Sequence, residues 1–198
     1  MGFFWRPWGA AGAGLAIAGG ALALWFIEND SDALGLMSFL LRFVHVFAAM
    51  IWIGLIWFVN FIQLLALGSI DEGDSVVILR RIALPVATVF CTASHVVLAT
   101  GLGLLLTTGY FLDRWVFPSS VYIPSLRSAF VWCGALAGLI MWGLANLVVL
   151  PNLKALIEGT GGPGEAARSR ERLRLAARVN LCLAVPVTFV MVAAAHLF

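Results

Sequence analysis

The class of fold is decided by residues 40–63, which read LLRFVHVFAAMIWIGLIWFVNFIQ. Arg42 is the single charged side chain in this run. A helix needs roughly 20 mostly apolar residues to cross the hydrocarbon core of a bilayer, whereas a barrel strand needs only about 10. The stretch is therefore typical of a transmembrane helix and is too long for a strand of a membrane barrel.

The rest of the chain has the same apolar character. Hydrophobic residues make up 62% of its 198 residues and charged residues 11%, and the mean hydropathy is +1.02. Soluble domains are about half apolar and about one quarter charged. Five apolar spans can be drawn, at residues 8–27, 36–67, 82–109, 126–150 and 179–198. We expect the first span to be retained as a helix, because no small-residue cleavage site follows it.

These spans predict the fold class and its organisation. We predict an all-α integral membrane protein with a four-helix transmembrane bundle in residues 36–198. Residues 1–35 are predicted to form one extra N-terminal transmembrane helix and a short periplasmic loop. The surrounding partner of such a protein is membrane lipid, and we expect no nucleic acid partner.

The basic residues predict how the chain is oriented. Arg6, the loop at residues 69–81 and the loop at residues 151–178 together hold nine of the twelve Lys and Arg residues. Cytoplasmic loops carry an excess of Lys and Arg. We therefore expect the N-terminus in the cytoplasm and the C-terminus in the periplasm of a bacterial inner membrane. Residues 168–178 are expected to form a short amphipathic helix on the cytoplasmic surface.

Three histidines, His45, His95 and His196, lie within predicted spans. An ionisable side chain in a bilayer is a functional-site hypothesis by default, and histidine commonly ligates metals and haem iron. The predicted topology places His45 and His196 in the periplasmic half, with His95 at a similar or somewhat deeper level. This convergence predicts a metal centre. The alternative is that each histidine only bonds a neighbouring helix.

Helical spacing extends the predicted cofactor site to Ala49 and Trp52, which share a stripe with His45. A small residue one turn from a ligating histidine leaves room for a flat macrocycle, and an aromatic side chain can pack against its face. Ordinary tight packing of membrane helices produces the same pattern. In span five the stripe with His196 comprises Cys182, Val185, Phe189 and Val192.

A second polar set lies at the other end of the spans. It comprises Asn60, Gln63, Asn146, Asn152, Arg178 and Asn180. One interpretation is that buried amides lock helix ends together, since Pro151 interrupts span four and leaves carbonyl groups unpaired. The functional alternative is a small polar pocket for a substrate or a proton path.

Several other kinds of site are not indicated. The three cysteines, Cys91, Cys133 and Cys182, are widely spaced and form no CxxCH or CxxC motif, so they predict neither a covalent haem nor a metal pair. No nucleophile elbow or dinucleotide fingerprint is present. The sequence places no carboxylate inside a span, which argues against a carboxylate-based proton pump.

The sequence resembles the membrane domain at the N-terminus of cytochrome-linked bacterial urate oxidases. In that domain a helix carries a histidine, then Trp-x-Gly, then an aromatic-rich stretch, as residues 40–63 do here. The later segments follow in the same order, namely GLGLLLTTGY (101–110), NLVVLPNLKALI (146–157) and ARVNLCLAVPVTFVMVAAAHLF (177–198). The resemblance implies His45 and His196 as the family-pattern histidines, whereas His95 has no family counterpart.

The resemblance implies a function without the family's full chemistry. The urate enzymes carry a C-terminal cytochrome c domain with CxxCH, which this sequence lacks, so we expect a short stand-alone relative. The leading hypothesis is a protein that binds haem b and passes electrons to or from a periplasmic cytochrome c or a partner subunit of an oxidoreductase. Whether it is itself an enzyme stays open. The alternative is a non-catalytic accessory subunit of a larger membrane complex, which a visible absorption spectrum would distinguish.

The predicted orientation can be tested with a reporter that is active only in the cytoplasm. Fused after Phe198, the reporter is expected to be silent, because nine of the twelve basic residues lie on the opposite side of the membrane. Strong cytoplasmic activity would show that a span has been miscounted.

Overall fold

The computed structural model describes residues 6–28, 32–70, 72–108, 126–159 and 162–196, and these residues contain five long helices and no strand. The helices are α1 (Pro7–Glu28), α2 (Ala33–Gly68), α3 (residues 72–107), α4 (residues 126–158) and α5 (Pro163–His196). Each is long and apolar enough to cross a membrane. The predicted all-α membrane fold is thereby confirmed.

The chain divides into two compact units, residues 1–39 and residues 40–198. In the described part of the first unit, Trp25 stacks on Phe39 with ring centroids 6.3 Å apart. The start of α2 is capped by Asp32, whose Oδ1 accepts a hydrogen bond of 2.8 Å from the backbone N–H of Gly35. An aspartate at this position satisfies one of the N–H groups that a helix start leaves unpaired.

The second unit holds the core. Its central cluster is built on large side chains from α2, α3 and α4, including Trp52, Phe90 and Met141, with Ala145 and Ala184 between them. The small alanines let the helices approach closely, as is usual where membrane helices pack. Large apolar side chains such as Phe47 and Met50 stay exposed on the outside of the helices. These outer faces contact membrane lipid.

Three helices of this unit contain a π-helical turn. The turns are Val59–Gln63 in α2, Leu79–Ala83 in α3 and Leu144–Val149 in α4. In each, the next backbone N–H bonds the carbonyl five residues earlier, as the N–H of Leu84 does to Leu79. A π turn inserts one extra residue into the helical ladder and is frequently found at functional sites.

Proline explains two of the three turns. Pro85 and Pro151 follow the π turns of α3 and α4 within two residues. A proline has no N–H and clashes with the carbonyl four residues earlier. That carbonyl must therefore accept its hydrogen bond from a different backbone N–H. In α2 no proline follows, but the side-chain amide of Asn60 donates to the carbonyl of Ile56 (2.9 Å). That bond competes for the carbonyl that the backbone N–H of residue 60 would use in an α-helix.

Helix α5 differs from the sequence prediction. Residues 168–178 do not form a separate surface helix, because α5 is continuous over Pro163–His196. No glycine or proline lies between Gly164 and Pro186, so nothing breaks the helix where it changes from basic to apolar. Helix α4 ends at Glu158 and is followed by Gly159, whose φ of 65° places it in the left-handed region that glycine adopts without a steric penalty.

The packing of α4 against α5 can be tested at two glycines of α4. A Cβ at Gly134 would lie against the side chain of Met191 and 3.2 Å from Cγ2 of Val190, whereas a Cβ at Gly138 would meet nothing within 4 Å. We expect Gly138→Ala to leave the unfolding temperature unchanged or raised, since alanine favours a helix by about 1 kcal/mol over glycine.

Gly134→Ala is expected to lower the unfolding temperature relative to Gly138→Ala, because the branched side chain of Val190 must move. Thermal unfolding in detergent, followed by tryptophan fluorescence, measures both variants. Equal unfolding temperatures would contradict the close approach of the two helices at Gly134.

Candidate functional site

His45 is half buried and is held by α3. Its Nδ1 lies 3.0 Å from the carbonyl oxygen of Val97 and 3.1 Å from Oγ1 of Thr100. A carbonyl can only accept, so Nδ1 carries the hydrogen and Nε2 carries the lone pair. Gly101 leaves space for the ring, because a Cβ there would stand 3.1 Å from Cε1 of His45. The imidazole is thereby fixed in the tautomer that ligates a metal through Nε2.

His95 lies on a different face of α3. Successive residues of a helix turn by about 100°, so His95 points roughly 200° away from Val97, the residue that contacts His45. Its ring meets the edge of Trp142 on α4 at 5.7 Å between centroids, and its Nδ1 donates to the carbonyl of Cys91 (2.6 Å). The structure therefore does not bring His45 and His95 together.

His196 is exposed at the end of α5, where its Nδ1 donates to the carbonyl of Val192 (3.0 Å). The residues predicted to share its stripe also face outward, and all of them are exposed, namely Cys182, Val185, Phe189 and Val192. This stripe is typical of a lipid-facing surface rather than of the wall of a site.

The relative level of His45 and His196 follows from a bond between α2 and α5. The amide Nδ2 of Asn60 donates to the carbonyl of Ala177 (3.0 Å), so these two residues lie at the same level. Counted from there toward one end of the unit, His45 and His196 are about 22 Å and about 28 Å away at 1.5 Å per residue. The structure thus places both in one half of the unit, with only His45 packed against a neighbouring helix.

The predicted cofactor residues on α2 pack into the core. Trp52 is 2% exposed and tilts against Phe90 with ring centroids 6.1 Å apart, and Ala49 packs against the same cluster. Among the described residues, no group of three or more His, Cys, Asp or Glu side chains could hold a metal ion. A haem clamped between His45 and His95 of one chain does not fit this arrangement, whereas His45 alone presents a nitrogen suited to ligation.

A cavity of about 320 Å³ lies at the other end of the second unit, around the level of Asn60. Residues of α2, α3, α4 and α5 line it, and the π turns of α2, α3 and α4 all contribute to the lining, for example through Asn60, Leu79 and Val149. The extra residue of each turn widens its helix locally. The backbone irregularities of three helices therefore meet at one cavity.

Three side-chain amides in the cavity lining have oxygens without a hydrogen-bond partner in the described part of the chain. They are Oδ1 of Asn60, Oε1 of Gln63 and Oδ1 of Asn180. Asn60 is 1% exposed and Asn180 is 2% exposed. A buried polar atom left unpaired costs about 1–3 kcal/mol, so this part of the unit carries a local cost in stability.

The polar set singled out in the sequence divides between two roles. Asn60, Gln63 and Asn180 line the cavity. Asn146 instead bonds Oγ of Ser94 (3.2 Å) and the carbonyl of Trp142, which links α4 to α3. Asn152 bonds only the carbonyl of Val148 in its own helix (2.7 Å). Asn60 and Asn146 thus link helices as the first interpretation predicts, Arg178 is exposed outside the lining, and a substrate pocket or proton path stays a prediction.

The sequence pattern did not indicate the arginines of the cavity. Arg170 and Arg174 line it from the basic start of α5. The periodicity of residues 168–178 suggested only a surface helix. A signal was present in the spacing, because Arg170, Leu173, Arg174, Ala177 and Asn180 follow the three- and four-residue steps of one helix face.

The comparisons with known proteins identify no relative of this chain. No protein family, curated protein or solved structure matches this chain. The resemblance to the urate oxidase membrane domain therefore stays a prediction, and the function must be argued from the site itself.

Proposed function

We propose that this multi-pass membrane protein binds a small polar molecule in the cavity between α2, α3, α4 and α5. The observation that carries the proposal is the set of three unpaired amide oxygens on Asn60, Gln63 and Asn180. Apolar helices that cross a bilayer rarely bury polar side chains without a partner, and those that do mark pathways or binding sites.

The size of the cavity supports a solute in preference to a single ordered water. Its volume of about 320 Å³ is close to the lower end of ligand pockets, about 300–1,000 Å³, and far above the ~30 Å³ share of one water molecule. The lining combines apolar walls such as Phe90 and Leu153 with the few amides. Mostly apolar walls with a few placed polar groups are the usual composition of a small-molecule site.

We also propose that the cavity lies in the cytoplasmic half of a bacterial inner membrane. The support is the distribution of basic residues, since Arg80, Arg81, Lys154 and the arginines of residues 168–178 all lie on this side of the chain. The N-terminus would then be cytoplasmic and the C-terminus periplasmic.

Entry of a small polar molecule can be tested by cysteine labelling at Ala87, which lines the cavity and is 6% exposed. In a background with Cys91, Cys133 and Cys182 replaced by alanine, we expect Ala87→Cys to react with hydroxyethyl methanethiosulfonate. The new thiol would face a polar, solvent-reached space in which the reactive thiolate can form. Intact-mass spectrometry measures the gain of one hydroxyethylthio group.

The matched control is Ala99→Cys, on the same helix but exposed on its outer face. Hydrocarbon around that position suppresses the thiolate, so slower labelling is expected in proteoliposomes. Absent labelling of Ala87→Cys, or equal labelling at both positions, would refute the cavity as a site for polar solutes.

A second candidate function, haem-dependent electron transfer, is favoured by the geometry of His45. We propose that His45 would hold haem b, because Val97 and Thr100 hold its Nδ1 and leave Nε2 for a metal. The haem would supply one-electron redox chemistry for exchange with a periplasmic cytochrome or a partner subunit. His95 would not hold the same group, because its ring packs against Trp142 of α4.

A haem titration of the purified protein tests this second candidate. His45→Ala is expected to lose the absorption of bound haem, and His95→Ala to retain it, since the two rings lie on different faces of α3. A pyridine haemochrome assay gives the stoichiometry. Stoichiometric haem in His45→Ala would mean that the histidine serves helix packing alone.

A further inference from the structure

One face of α5 stays exposed along the whole apolar part of the helix. It begins at Arg178 and continues through residues three and four positions apart, which share one side of a helix. The exposed members, which we call the outer stripe of α5, are Arg178, Cys182, Val185, Phe189, Val192 and His196. No helix of the described part of the chain covers this face.

The length of the outer stripe matches the hydrocarbon core of a bilayer. Arg178 and His196 are about 27 Å apart along the helix at 1.5 Å per residue, and the core is about 30 Å thick. Of the polar side chains in residues 179–195, Asn180 is buried, and the Thr188 hydroxyl donates to a carbonyl of its own helix. The two polar ends of the stripe therefore fall at the two boundaries of the hydrocarbon core.

Arg178 presents a guanidinium at one of these boundaries. Its side chain is exposed, and none of the described residues forms an ion pair or hydrogen bond with it. A guanidinium has five N–H donors and pairs a phosphate in a fork. The phosphate groups of phospholipids lie directly outside the hydrocarbon core, at the level of this side chain. A lipid phosphate is therefore the complementary group that the membrane itself supplies.

The charge around Arg178 favours a headgroup with a net negative charge. Residues 165–178 carry five arginines and two glutamates. The nearer glutamate, Glu171, lies about 10 Å from Arg178 along the helix. Basic segments at a membrane surface attract anionic lipids. A zwitterionic headgroup brings a cationic amine beside its phosphate, and the neighbouring arginines repel that amine.

The apolar part of the outer stripe suits an acyl chain better than a partner helix. Membrane helices pack through small side chains such as Gly, Ala and Ser. Val185, Phe189 and Val192 are larger, and each is more than half exposed. Phe189 lies about 16 Å from Arg178 along the helix, close to the ~15 Å that one leaflet contributes to the hydrocarbon core. The chains of a lipid in that leaflet reach this far.

We propose that Arg178 and the apolar residues that follow it on the outer stripe bind one anionic phospholipid. The phosphate meets the guanidinium of Arg178, and an acyl chain lies along Cys182, Val185 and Phe189. The lipid site is independent of what the cavity binds, because Arg178 lies outside the cavity lining.

Native mass spectrometry of the full-length protein in detergent tests the lipid site. Phosphatidylglycerol and phosphatidylcholine with identical acyl chains are titrated separately, and the adduct peaks give the dissociation constant of the first bound lipid. We expect phosphatidylglycerol to bind at least about threefold more tightly, because an arginine at a membrane surface attracts anionic lipid. Inorganic phosphate should not displace it, since a free ion offers no acyl chain to the outer stripe.

Two exposed arginines of α5 provide a matched pair of variants. Arg178→Gln is expected to remove the preference for phosphatidylglycerol, whereas Arg178→Lys keeps the positive charge and should retain most of it. Arg172→Gln removes the same charge from the same helix. Residue 172 lies about 120° around the helix from Arg178, off the outer stripe, so this change should leave the preference intact.

Arg178→Gln is expected to keep the unfolding temperature in detergent, since no described residue pairs with the guanidinium. A large fall in that temperature would show that Arg178 holds the fold together instead, and would overturn the lipid site. Equal affinity for the two lipids, equal effects of the Arg172 and Arg178 changes, or displacement of the lipid by inorganic phosphate would overturn it as well.

Discussion

Backbone hydrogen bonding in an apolar surrounding is the constraint on which the rest of this structure depends. A bilayer offers no water to an N–H or C=O group, and each unpaired group costs several kcal/mol. The chain meets this constraint with long helices, and each place where the ladder is disturbed must be repaired locally. Pro85 and Pro151 disturb it in α3 and α4, and a π turn before each proline re-pairs the carbonyls. The positions of these π turns therefore determine where the helices widen.

The third π turn links this constraint to the site. Asn60 occupies the carbonyl of Ile56 in its own helix and the carbonyl of Ala177 on α5, so one amide both accompanies the irregular turn and joins two helices. Both hydrogens of the amide are used for structure, so its buried Oδ1 is the atom left without a partner. The same residue therefore holds the two helices at a fixed level and places a polar group in the lining of the cavity.

Sequence reasoning succeeded where a single physical term dominates. Long apolar runs with few charges predicted five membrane helices, because nothing else can satisfy their backbone in lipid. Sequence reasoning could not establish which side chains of neighbouring helices face each other. The depth of His45 and His95 suggested a meeting, but depth leaves the rotation of α3 undetermined. A rotation of about 200° between residues 95 and 97 separates the two rings. The arginines of the cavity were likewise missed, since their role depends on α5 continuing unbroken from its basic start into the membrane.

The cost of unpaired polar atoms distinguishes the amides that line the cavity from the histidines. Each histidine already has a backbone carbonyl for Nδ1, and its second nitrogen loses little when it faces a half-exposed or lipid-exposed surface. The three amide oxygens are in a different position, because each buried unpaired acceptor costs about 1–3 kcal/mol and a cavity lowers stability further. This total cost is comparable with the free energy of unfolding of a whole domain, which is roughly 5–15 kcal/mol. The polar occupant that we propose would return part of this free energy by pairing the oxygens and filling the space.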